Sequence, residues 1–377
     1  MTQKNEGSSH KICEIAIIGG GIAGLSLAAA LSEHCPIILV EAESQLATHA
    51  TGRSAATRSI CYGSPVVRQL TSAGGWFFSQ ETHEVPPLLK RRGLLNIALN
   101  GEERYFENPM FGEMEHLSAI DTLKLCPILR EEVVAGGLYD PDASDIDVAA
   151  VIEILRKQII SRNGTILRSW RMLSSRRVFG KWVLKNTSGD TVSAKIIVNA
   201  AGAWCDELAT NCGAKKLGLR TTRRTAFITT VPNWNEICHL PLVADLGGRC
   251  YFKPETGGVL CSPMDNAEIA PGNITFDEVD IARALDGVNE LTNLNCRHVK
   301  SAWAGLRTFS NDSNPICGFD SFTEDFYWLA GQGGSGIQTS IALAELACAE
   351  IIEKKLPHWA STKLQMALRP KRFSKVG

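Results

Sequence analysis

The glycine motif near the amino terminus restricts the fold of this chain more than any other feature. Residues 15–18 form a short apolar run with strand character, which breaks into Gly19-Gly20-Gly21-Ile22-Ala23-Gly24, a Gly-x-Gly-x-x-Gly pattern. An alanine- and leucine-rich segment with helical character follows at 25–31. A second apolar run at 37–40 then ends at Glu41. This order predicts a strand, a tight turn, a helix and a parallel strand.

Each part of this motif has a physical role in binding a dinucleotide. Gly19 permits the tight turn, Gly21 lets a pyrophosphate approach the backbone, and Gly24 lets the helix pack against the strand. The helix N-terminus directs free N–H groups and a positive dipole end at the phosphates. Glu41 can accept the ribose hydroxyls and repels a 2′-phosphate, which favours FAD or NAD over NADP. An ordinary glycine-rich turn is the competing interpretation, but the complete series of elements favours a dinucleotide site.

Composition excludes several other classes of protein. The chain has 377 residues, 44% of them hydrophobic and 21% charged, with a net charge of −1, so no global field attracts nucleic acid or an anionic membrane. No apolar stretch reaches the roughly 20 residues of a transmembrane span. Residues 1–11 are polar and are expected to form a disordered lead-in. The twelve cysteines contain no Cys-x-x-Cys pair, which favours reduced thiols in the cytoplasm and no metal site.

Hydrophobic periodicity predicts the remaining elements. Helices are expected at 66–78, 113–135, 148–162, 279–291 and 337–354. Strands are expected at 94–99, 196–204, 225–231, 241–246, 250–253, 258–263 and 327–330, and a small antiparallel meander from 165–168, 171–178 and 182–186. The strand at 327–330 runs into Gly331-Gln332-Gly333-Gly334-Ser335-Gly336 and a helix. This second glycine loop can also present N–H groups to an anionic or electron-rich ligand.

Several separated motifs together resemble the FAD-dependent amino-acid oxidoreductases that include D-amino-acid oxidase, glycine oxidase and sarcosine oxidase, and more closely D-arginine dehydrogenase. The likeness runs from about residue 12 to the carboxy-terminal helix. Besides the two glycine loops, it rests on these stretches: Thr51-Gly52-Arg53-Ser54-Ala55-Ala56, Tyr62-Gly63, Ala200-Ala201-Gly202-Ala203-Trp204-Cys205-Asp206, Arg223-Arg224-x-Ala226-Phe227-Ile228, Trp303-Ala304-Gly305-Leu306-Arg307 and Gly336-Ile337-Gln338-Thr339.

This resemblance implies an α/β fold in which a discontinuous Rossmann-like FAD-binding domain contains an inserted α+β, antiparallel-sheet substrate domain. The expected FAD-binding segments are 12–85, 144–222 and 300–366. The expected substrate-binding segments are 86–143 and 223–299, and residues 367–377 are expected to form a basic, solvated tail.

The resemblance also implies a set of FAD contacts. The segment 54–57 would lie along the flavin ring and its N5 edge, and the second glycine loop would face the pyrimidine end. Met172 would contact the adenine side through its backbone. Covalent attachment in some relatives aligns with Arg307 rather than Cys317, so non-covalent FAD is expected. The full set of expected FAD contacts is Gly19, Gly21, Ile22, Ala23, Gly24, Glu41, Ala42, Arg53, Ser54, Ala55, Ala56, Thr57, Met172, Ala201, Gly202, Gly305, Arg307, Gly333, Gly334, Ser335, Gly336 and Ile337.

A substrate site is implied in the same way. Arg224 and Arg307 would bind the substrate carboxylate, while Tyr62 and Tyr251 would flank the substrate; these four are the candidate catalytic residues. Two arginines in a dry pocket bind a carboxylate by charge-assisted hydrogen bonds. The tyrosines could instead be core aromatics, and one of Arg223 and Arg224 is expected at the surface. The expected substrate contacts are Thr57, Leu94, Arg224, Tyr251, Gly305, Arg307 and Gly334.

The chain departs from the D-arginine dehydrogenase pattern at three positions. Leu94, or Gly93 beside it, stands where that pattern has a glutamate that pairs with a cationic substrate side chain. Thr57 replaces a histidine and Ser335 a tyrosine. A buried cation without a partner is costly. A neutral or hydrophobic D-amino acid is therefore expected, oxidised at its CH–NH bond to an imino acid that hydrolyses to a 2-oxo acid.

Other functions remain open at this point. The same fold could oxidise a 2-hydroxy acid, or an N-alkyl or cyclic amine of a specialised pathway. A nicotinamide-dependent dehydrogenase and a non-catalytic flavin-binding subunit are further alternatives. The electron acceptor (oxygen, a quinone or a carrier) is not indicated by any residue. A monomer is plausible, and neither nucleic acid nor a membrane is expected as a partner.

Overall fold

The computed structural model describes residues 9–80, 87–232 and 234–373 of the chain. Strands β1 to β21 in chain order are His10–Ile12, Ile15–Ile18, Ile37–Val40, Thr57–Arg58, Leu89–Arg91, Leu94–Leu99, Glu115–Ser118, Val134–Asp140, Ser144–Ile146, Thr165–Leu167, Met172–Val178, Lys181–Asn186, Thr191–Ala194, Ile196–Asn199, Arg220–Thr229, Leu242–Asp245, Tyr251–Glu255, Gly258–Ser262, Val299–Phe309, Ile316–Phe319 and Phe326–Ala330. Helices α1 to α10 are Ile22–Leu31, Pro65–Ala73, Gly75–Phe78, Ala119–Leu125, Val148–Ser161, Cys205–Asn211, Trp234–Ile237, Glu278–Leu291, Gly336–Ile351 and Thr362–Leu368.

Two compact units divide the chain. Unit 1 comprises 1–52, 148–220 and 308–377, and unit 2 comprises 53–147 and 221–307. Both units are discontinuous in sequence, like the expected domains, but residues 53–58 and the helices α2 and α3 fall in unit 2 rather than with the glycine motif. The assignment of one unit to FAD and the other to substrate stays a prediction.

Unit 1 is built on a six-stranded sheet in the order β10-β3-β2-β14-β21-β20. Five of these strands are parallel, and β20 pairs antiparallel with β21. The runs at 15–18, 37–40 and 326–330 are buried throughout, which explains why they are continuously apolar rather than alternating. Helices α1 and α9 contain mostly buried residues and pack against each other. The carboxyl ends of four neighbouring parallel strands therefore meet at one edge.

A second, four-stranded sheet in unit 1 corrects two predictions. Its order is β1-β13-β12-β11, so the predicted meander contains 191–194 instead of 165–168. Residues 165–167 instead pair in parallel with β3 and form an edge strand of the larger sheet. Their side chains are partly buried there. Residues 10–12 pair with β13, so the lead-in prediction is wrong for residues 10 and 11, while 1–8 lie outside the described part.

Unit 2 contains an eight-stranded sheet in the order β19-β15-β18-β17-β16-β6-β8-β7 and a three-stranded sheet in the order β4-β9-β5. The larger sheet is mainly antiparallel as expected, but β6 and β16 pair in parallel. The helix predicted at 113–135 is wrong over most of its length. Residues 115–118 and 134–140 pair as strands, and only α4 is helical, beginning where the Ser118 hydroxyl caps the Asp121 N–H. Gly74 likewise divides the helix predicted at 66–78 into α2 and α3.

The carboxy-terminal segment is attached to unit 1, so the prediction of a solvated tail is wrong for residues 369–373. Arg369 donates from both terminal nitrogens to the Glu350 carboxylate at 2.8 Å. The buried Tyr327 hydroxyl donates to the same carboxylate at 2.7 Å. Arg372 pairs with Asp312 at 2.8 Å. Residues 374–377 lie outside the described part. Among the described helices, none combines the length and the apolar character needed to cross a bilayer.

Replacing Arg369 by alanine should lower the free energy of unfolding by about 2 kcal/mol, since the Glu350 carboxylate, only 7% exposed, would lose its cation. Lys371→Ala removes an exposed cation from the same segment and is the matched control. Urea denaturation of both variants measures the difference. Equal stability of the two variants would show that the Arg369 ion pair contributes nothing.

Candidate active site

Two glycine loops, at 19–24 and 331–336, lie at the carboxyl edge of the unit 1 sheet. Gly19 follows β2 with φ +116°, and a Cβ there would lie 2.3 Å from the Ala200 carbonyl oxygen. A Cβ on Gly24 would lie 1.9 Å from the Gly19 oxygen, so the close helix–strand approach requires glycine at both positions. Thr51 begins one of the stretches that carry the resemblance but was not among the predicted site residues. Its hydroxyl accepts the Ile22 N–H at 3.1 Å, in the first turn of α1.

Glu41 ends the second parallel strand beside this turn. Its carboxylate accepts the Gly20 N–H at 2.7 Å and the Glu43 N–H at 2.8 Å. Two backbone donors occupy part of the accepting capacity of a carboxylate, which has about four lone-pair positions. The Trp170 N–H donates to the Glu41 carbonyl at 2.8 Å, which brings the start of β11 and Met172 to the same end of the sheet.

The second glycine loop joins β21 to the N-terminus of α9. Gly331 and Gly333 have φ values of +69° and +55°, and the Gly333 N–H donates to the Thr308 carbonyl at 2.8 Å. The Gln332 Nε2 atom is buried without a hydrogen-bond partner in the described structure. A buried donor of this kind is available to an acceptor from water or a ligand. Gly336 lies 3.9 Å from the Ile22 side chain, measured from an added Cβ, so the two helix N-termini are neighbours.

The predicted contacts in unit 1 therefore cluster at a single sheet edge. They are Gly19, Gly21, Ile22, Ala23, Gly24, Glu41, Ala42, Met172, Ala201, Gly202, Gly333, Gly334, Ser335, Gly336 and Ile337. The remaining predicted contacts, Arg53 to Thr57, Tyr62, Leu94, Arg224, Tyr251, Gly305 and Arg307, belong to unit 2. The two glycine loops, at 19–24 and 331–336, and the unpartnered Gln332 amide fit a dinucleotide such as FAD.

Two arginines on neighbouring strands form the electrostatic centre of unit 2. Arg224 lies on β15 and Arg307 on β19. Burial and, to a smaller extent, the charge of Arg307 lower the pKa of the Arg224 guanidinium to about 10, against opposing effects of Tyr251, Asp265 and Tyr62. Both side chains still carry positive charge at neutral pH. The pair thus concentrates two like charges in a partly desolvated site.

Asp265 orients one of these arginines without neutralising it. Its backbone carbonyl accepts the Arg224 Nε–H at 2.8 Å. Its carboxylate, only 7% exposed, binds Arg223 Nε at 3.1 Å, the Thr225 N–H at 2.6 Å and the Thr225 hydroxyl at 2.9 Å. The distance from this carboxylate to Arg224 Nε is 3.8 Å. Asp265 was not identified from sequence, because a lone aspartate in a loop carries no local signal.

Arg223 is also buried, so the expectation that one of the two adjacent arginines is a surface residue is wrong. Its side chain is 16% exposed and pairs with Asp265 and Asp280. These carboxylates are thereby committed to Arg223. Within residues 9–80, 87–232 and 234–373, the terminal nitrogens of Arg224 and the whole guanidinium of Arg307 make no hydrogen bond or ion pair.

Apolar side chains surround Tyr251 near this pair. Tyr251 is 8% exposed and belongs to a cluster with Leu94, Ala143, Leu242 and Leu260, against which Ala55, Met114, Met264 and Trp303 pack. Tyr62, by contrast, is 39% exposed and contacts the Phe111 ring.

One acid lies next to Leu94 on the neighbouring strand β8. Asp140 pairs directly opposite Leu94, a neighbour that the strand run itself did not reveal. Its carboxylate is occupied by the Ser59 hydroxyl at 2.5 Å and the Asp142 N–H at 3.1 Å.

The segment Arg53–Thr57 contacts β19, the strand that carries Arg307. The Arg53 guanidinium donates to the Ala304 carbonyl at 2.9 Å, and a Cβ on Gly305 would lie 3.4 Å from Arg53. Thr57 Oγ1 is buried without a partner among the described residues. Within unit 2, the predicted flavin-contacting segment and the strand that carries Arg307 are therefore in direct contact.

Comparison with known proteins defines the class. The family model DAO, described as FAD dependent oxidoreductase, matches residues 14–350. The chain belongs to this family and is an FAD-dependent oxidoreductase. FAD-dependent oxidoreductase domain-containing protein 1 of Bos taurus is 29% identical over 182 residues, which cover 43% of this chain and 36% of that protein. The chain thus spans about one third of that relative's length.

Glycine oxidase of Geobacillus kaustophilus is 24% identical over 370 residues, covering 91% of this chain and 93% of that protein. Its crystal structure matches with a TM-score of 0.79 at 19% identity, covering 94% of this chain and 98% of that chain. FAD-bound L-alpha-glycerophosphate oxidase from Mycoplasma pneumoniae matches with a TM-score of 0.80 at 20% identity, covering 93% and 97%. The predicted α/β fold class and the FAD cofactor are confirmed, whereas the closer likeness to D-arginine dehydrogenase stays a prediction.

A small carboxylate should stabilise the protein, because it would relieve the repulsion between Arg224 and Arg307. At about ten times its dissociation constant, propionate should raise the melting temperature of the FAD-loaded protein by about 2–4 °C. Arg307→Gln should abolish most of this shift. Differential scanning fluorimetry at neutral pH measures both.

Propionamide, which has the same shape without charge, is the matched ligand control, and exposed Arg297→Gln is the matched protein control. An equal shift from propionate and propionamide would contradict a charge-based site.

Proposed function

We propose that this enzyme oxidises the CH–NH bond of a small amine that carries a carboxylate, and that its substrate is a neutral or hydrophobic D-amino acid. The observation that supports the carboxylate is the Arg224–Arg307 pair, whose terminal nitrogens have no acidic partner in the described chain. Charge-assisted hydrogen bonds from two guanidinium groups would fix both the position and the orientation of a carboxylate.

The proposed binding of FAD divides among the residues described above. The first glycine loop and the N-terminus of α1 would hold the pyrophosphate, and Glu41 would use its remaining accepting capacity on the ribose. The N-terminal end of α9 would favour negative charge near it. Bound flavin would accept one hydride, that is, two electrons and one proton, from the substrate Cα. Non-covalent binding is proposed, since Cys317 is buried and hydrogen-bonded to the Tyr327 hydroxyl at 3.2 Å.

The chain's own contribution to the reaction would be positioning. Arg224, held by the Asp265 carbonyl, and Arg307 would fix the carboxylate and thereby the substrate Cα and its hydrogen. Tyr251 and Tyr62 would flank the bound substrate. Orientation of this kind can contribute several kcal/mol to lowering the barrier. The amine must be neutral when the CH bond breaks, and the imino acid product would hydrolyse in water to a 2-oxo acid and ammonia.

The surroundings of Leu94 support an uncharged substrate side chain. Leu94 is 6% exposed and packs with Tyr251, and methionines border the same cluster. The nearby Asp140 carboxylate is already bound by Ser59 and a backbone N–H. Asp140 keeps part of its accepting capacity, but a cationic side chain placed against Leu94 would lose its water to the apolar side chains of this cluster.

Oxidation of a 2-hydroxy acid, or of an N-alkyl or cyclic amine, is the alternative on the same fold, because Arg224 and Arg307 would contact only the carboxylate. We further propose a cytoplasmic location and a monomeric state. Admitting air to the reduced enzyme tests whether oxygen is the electron acceptor.

Arg307→Ala should raise the KM for the carboxylate substrate at least tenfold or abolish turnover while FAD stays bound, because one of two charge-assisted contacts is lost. Anaerobic titration of the flavin absorbance with D- and L-amino acids, N-methyl amino acids and 2-hydroxy acids measures reduction in the wild type and the variant. Arg297→Ala, at an exposed position, is the matched control. Unchanged reduction in Arg307→Ala would refute the carboxylate assignment, and reduction of the wild type only by hydroxy acids would refute the amine.

Leu94→Glu should shift preference towards D-arginine relative to D-leucine by about tenfold, because a carboxylate would then be available for a cationic side chain. Leu94→Gln has similar size without charge and controls for lost packing. The ratio of kcat/KM for the two amino acids is the measurement. The same ratio in both variants would show that this position does not contact the substrate side chain.

A further inference from the structure

The backbone of the Arg53–Thr57 segment is fixed through its carbonyl groups. Trp303 Nε1 donates to the carbonyl of residue 53 at 3.1 Å, and the Ile146 N–H donates to that of residue 56 at 2.8 Å. Between them, Lys253 Nζ donates to the Ala55 carbonyl at 2.8 Å. Three carbonyl groups of this short segment thus accept hydrogen bonds from other residues of unit 2.

The conformation held in this way is strained. Ala56 has φ +54°, in the left-handed region that an alanine rarely adopts. Strain of this kind persists only where surrounding contacts fix it. The Ala56 N–H lies in the same peptide plane as the Ala55 carbonyl and donates to the Ser54 hydroxyl at 2.9 Å. The Lys253 contact therefore sets this peptide plane and, through it, the position of the Ser54 side chain.

Lys253 is itself part of a buried charge network. Its side chain is 4% exposed and pairs with Asp145 at 2.8 Å and Glu255 at 3.7 Å. The other carboxylate oxygen of Asp145 binds Arg92, which donates to the Leu240 carbonyl at 3.0 Å. Asp145 also lies opposite Thr57 in the three-stranded sheet.

Packing alone does not require a lysine here. Burying an ammonium group costs free energy unless it is paired and hydrogen-bonded, and a methionine would fill similar volume. Removal of Lys253 would leave Asp145 with Arg92, a balanced pair. The distinctive contribution of Lys253 is therefore the charged donor that it directs at the Ala55 carbonyl.

We propose that Lys253 is a positioning residue for the flavin. Through the Ala55 carbonyl it holds Arg53–Thr57 in the strained conformation that presents Ser54 and its neighbours to the cofactor. This rests on the proposed function and on the prediction from the family resemblance that residues 54–57 lie along the flavin ring. Lys253 would act through the backbone, since its partners are the Ala55 carbonyl, Asp145 and Glu255.

The test compares full-length Lys253→Met and Lys253→Arg with the wild type. FAD is removed, and its rebinding to each apoprotein is titrated by quenching of flavin fluorescence. Lys253→Met should weaken FAD binding about tenfold and shift the visible spectrum of bound flavin, because one charge-assisted hydrogen bond is lost. Lys253→Arg, which keeps a charged donor, should recover part of the affinity. The propionate-induced thermal shift, which reports on Arg224 and Arg307, should persist in both variants.

Wild-type FAD affinity and spectrum in folded Lys253→Met would overturn the proposal. If that variant does not fold, Asp145→Asn, which leaves Lys253 in place but removes its anchoring charge, should weaken FAD binding in the same direction, and unchanged affinity there would equally refute it. Failure of the proposed function is separately visible, because a wild type that no carboxylate-bearing amine reduces still gives an FAD affinity to compare.

Discussion

The repulsion between two arginine charges is the interaction on which the proposed chemistry depends. Arg224 and Arg307 lie on adjacent strands, and burial together with this neighbouring charge lowers the pKa of Arg224. The Asp265 carboxylate, which lies 3.8 Å from Arg224 Nε, binds Arg223 Nε more closely, at 3.1 Å. The terminal nitrogens of Arg224 and the Arg307 guanidinium have no hydrogen-bond or ion-pair partner among the described residues, and this is the basis of the proposed preference for a carboxylate ligand.

Buried charged residues hold Arg224 and a neighbouring segment in place, and burying a charge costs free energy. Asp265 uses its carbonyl to orient Arg224 and its side chain to fix Arg223 and Thr225. The Asp145 network performs a similar task for the segment next to the strand of Arg307. In both cases a buried acid serves a neighbouring cation, while the atoms that would meet ligand are left without protein partners. Local strain and buried charge are thus concentrated where ligands are proposed to bind.

Much of the fold could be predicted from sequence because its signals are local. The Gly19–Gly24 motif and the runs at 37–40 and 326–330 specify parallel strands through continuous apolar character and positive-φ glycine turns. The helix predicted at 113–135 was wrong because strand pairing with β8 determines residues 115–118. Asp265 and Asp145 were missed since their partners lie far away in sequence. Lys253 did carry a signal, as a lone cation beside Tyr251 and Phe252 in an apolar strand, but its partners required the tertiary structure.

A crystal structure of the FAD-loaded protein with bound propionate at neutral pH would test the central claim most directly. The carboxylate oxygens are predicted to lie about 2.7–2.9 Å from terminal nitrogens of both Arg224 and Arg307, with the propionate methyl group directed towards the Leu94–Tyr251 cluster. A carboxylate bound elsewhere, or two arginines paired with protein acids while the ligand is absent from them, would contradict this account.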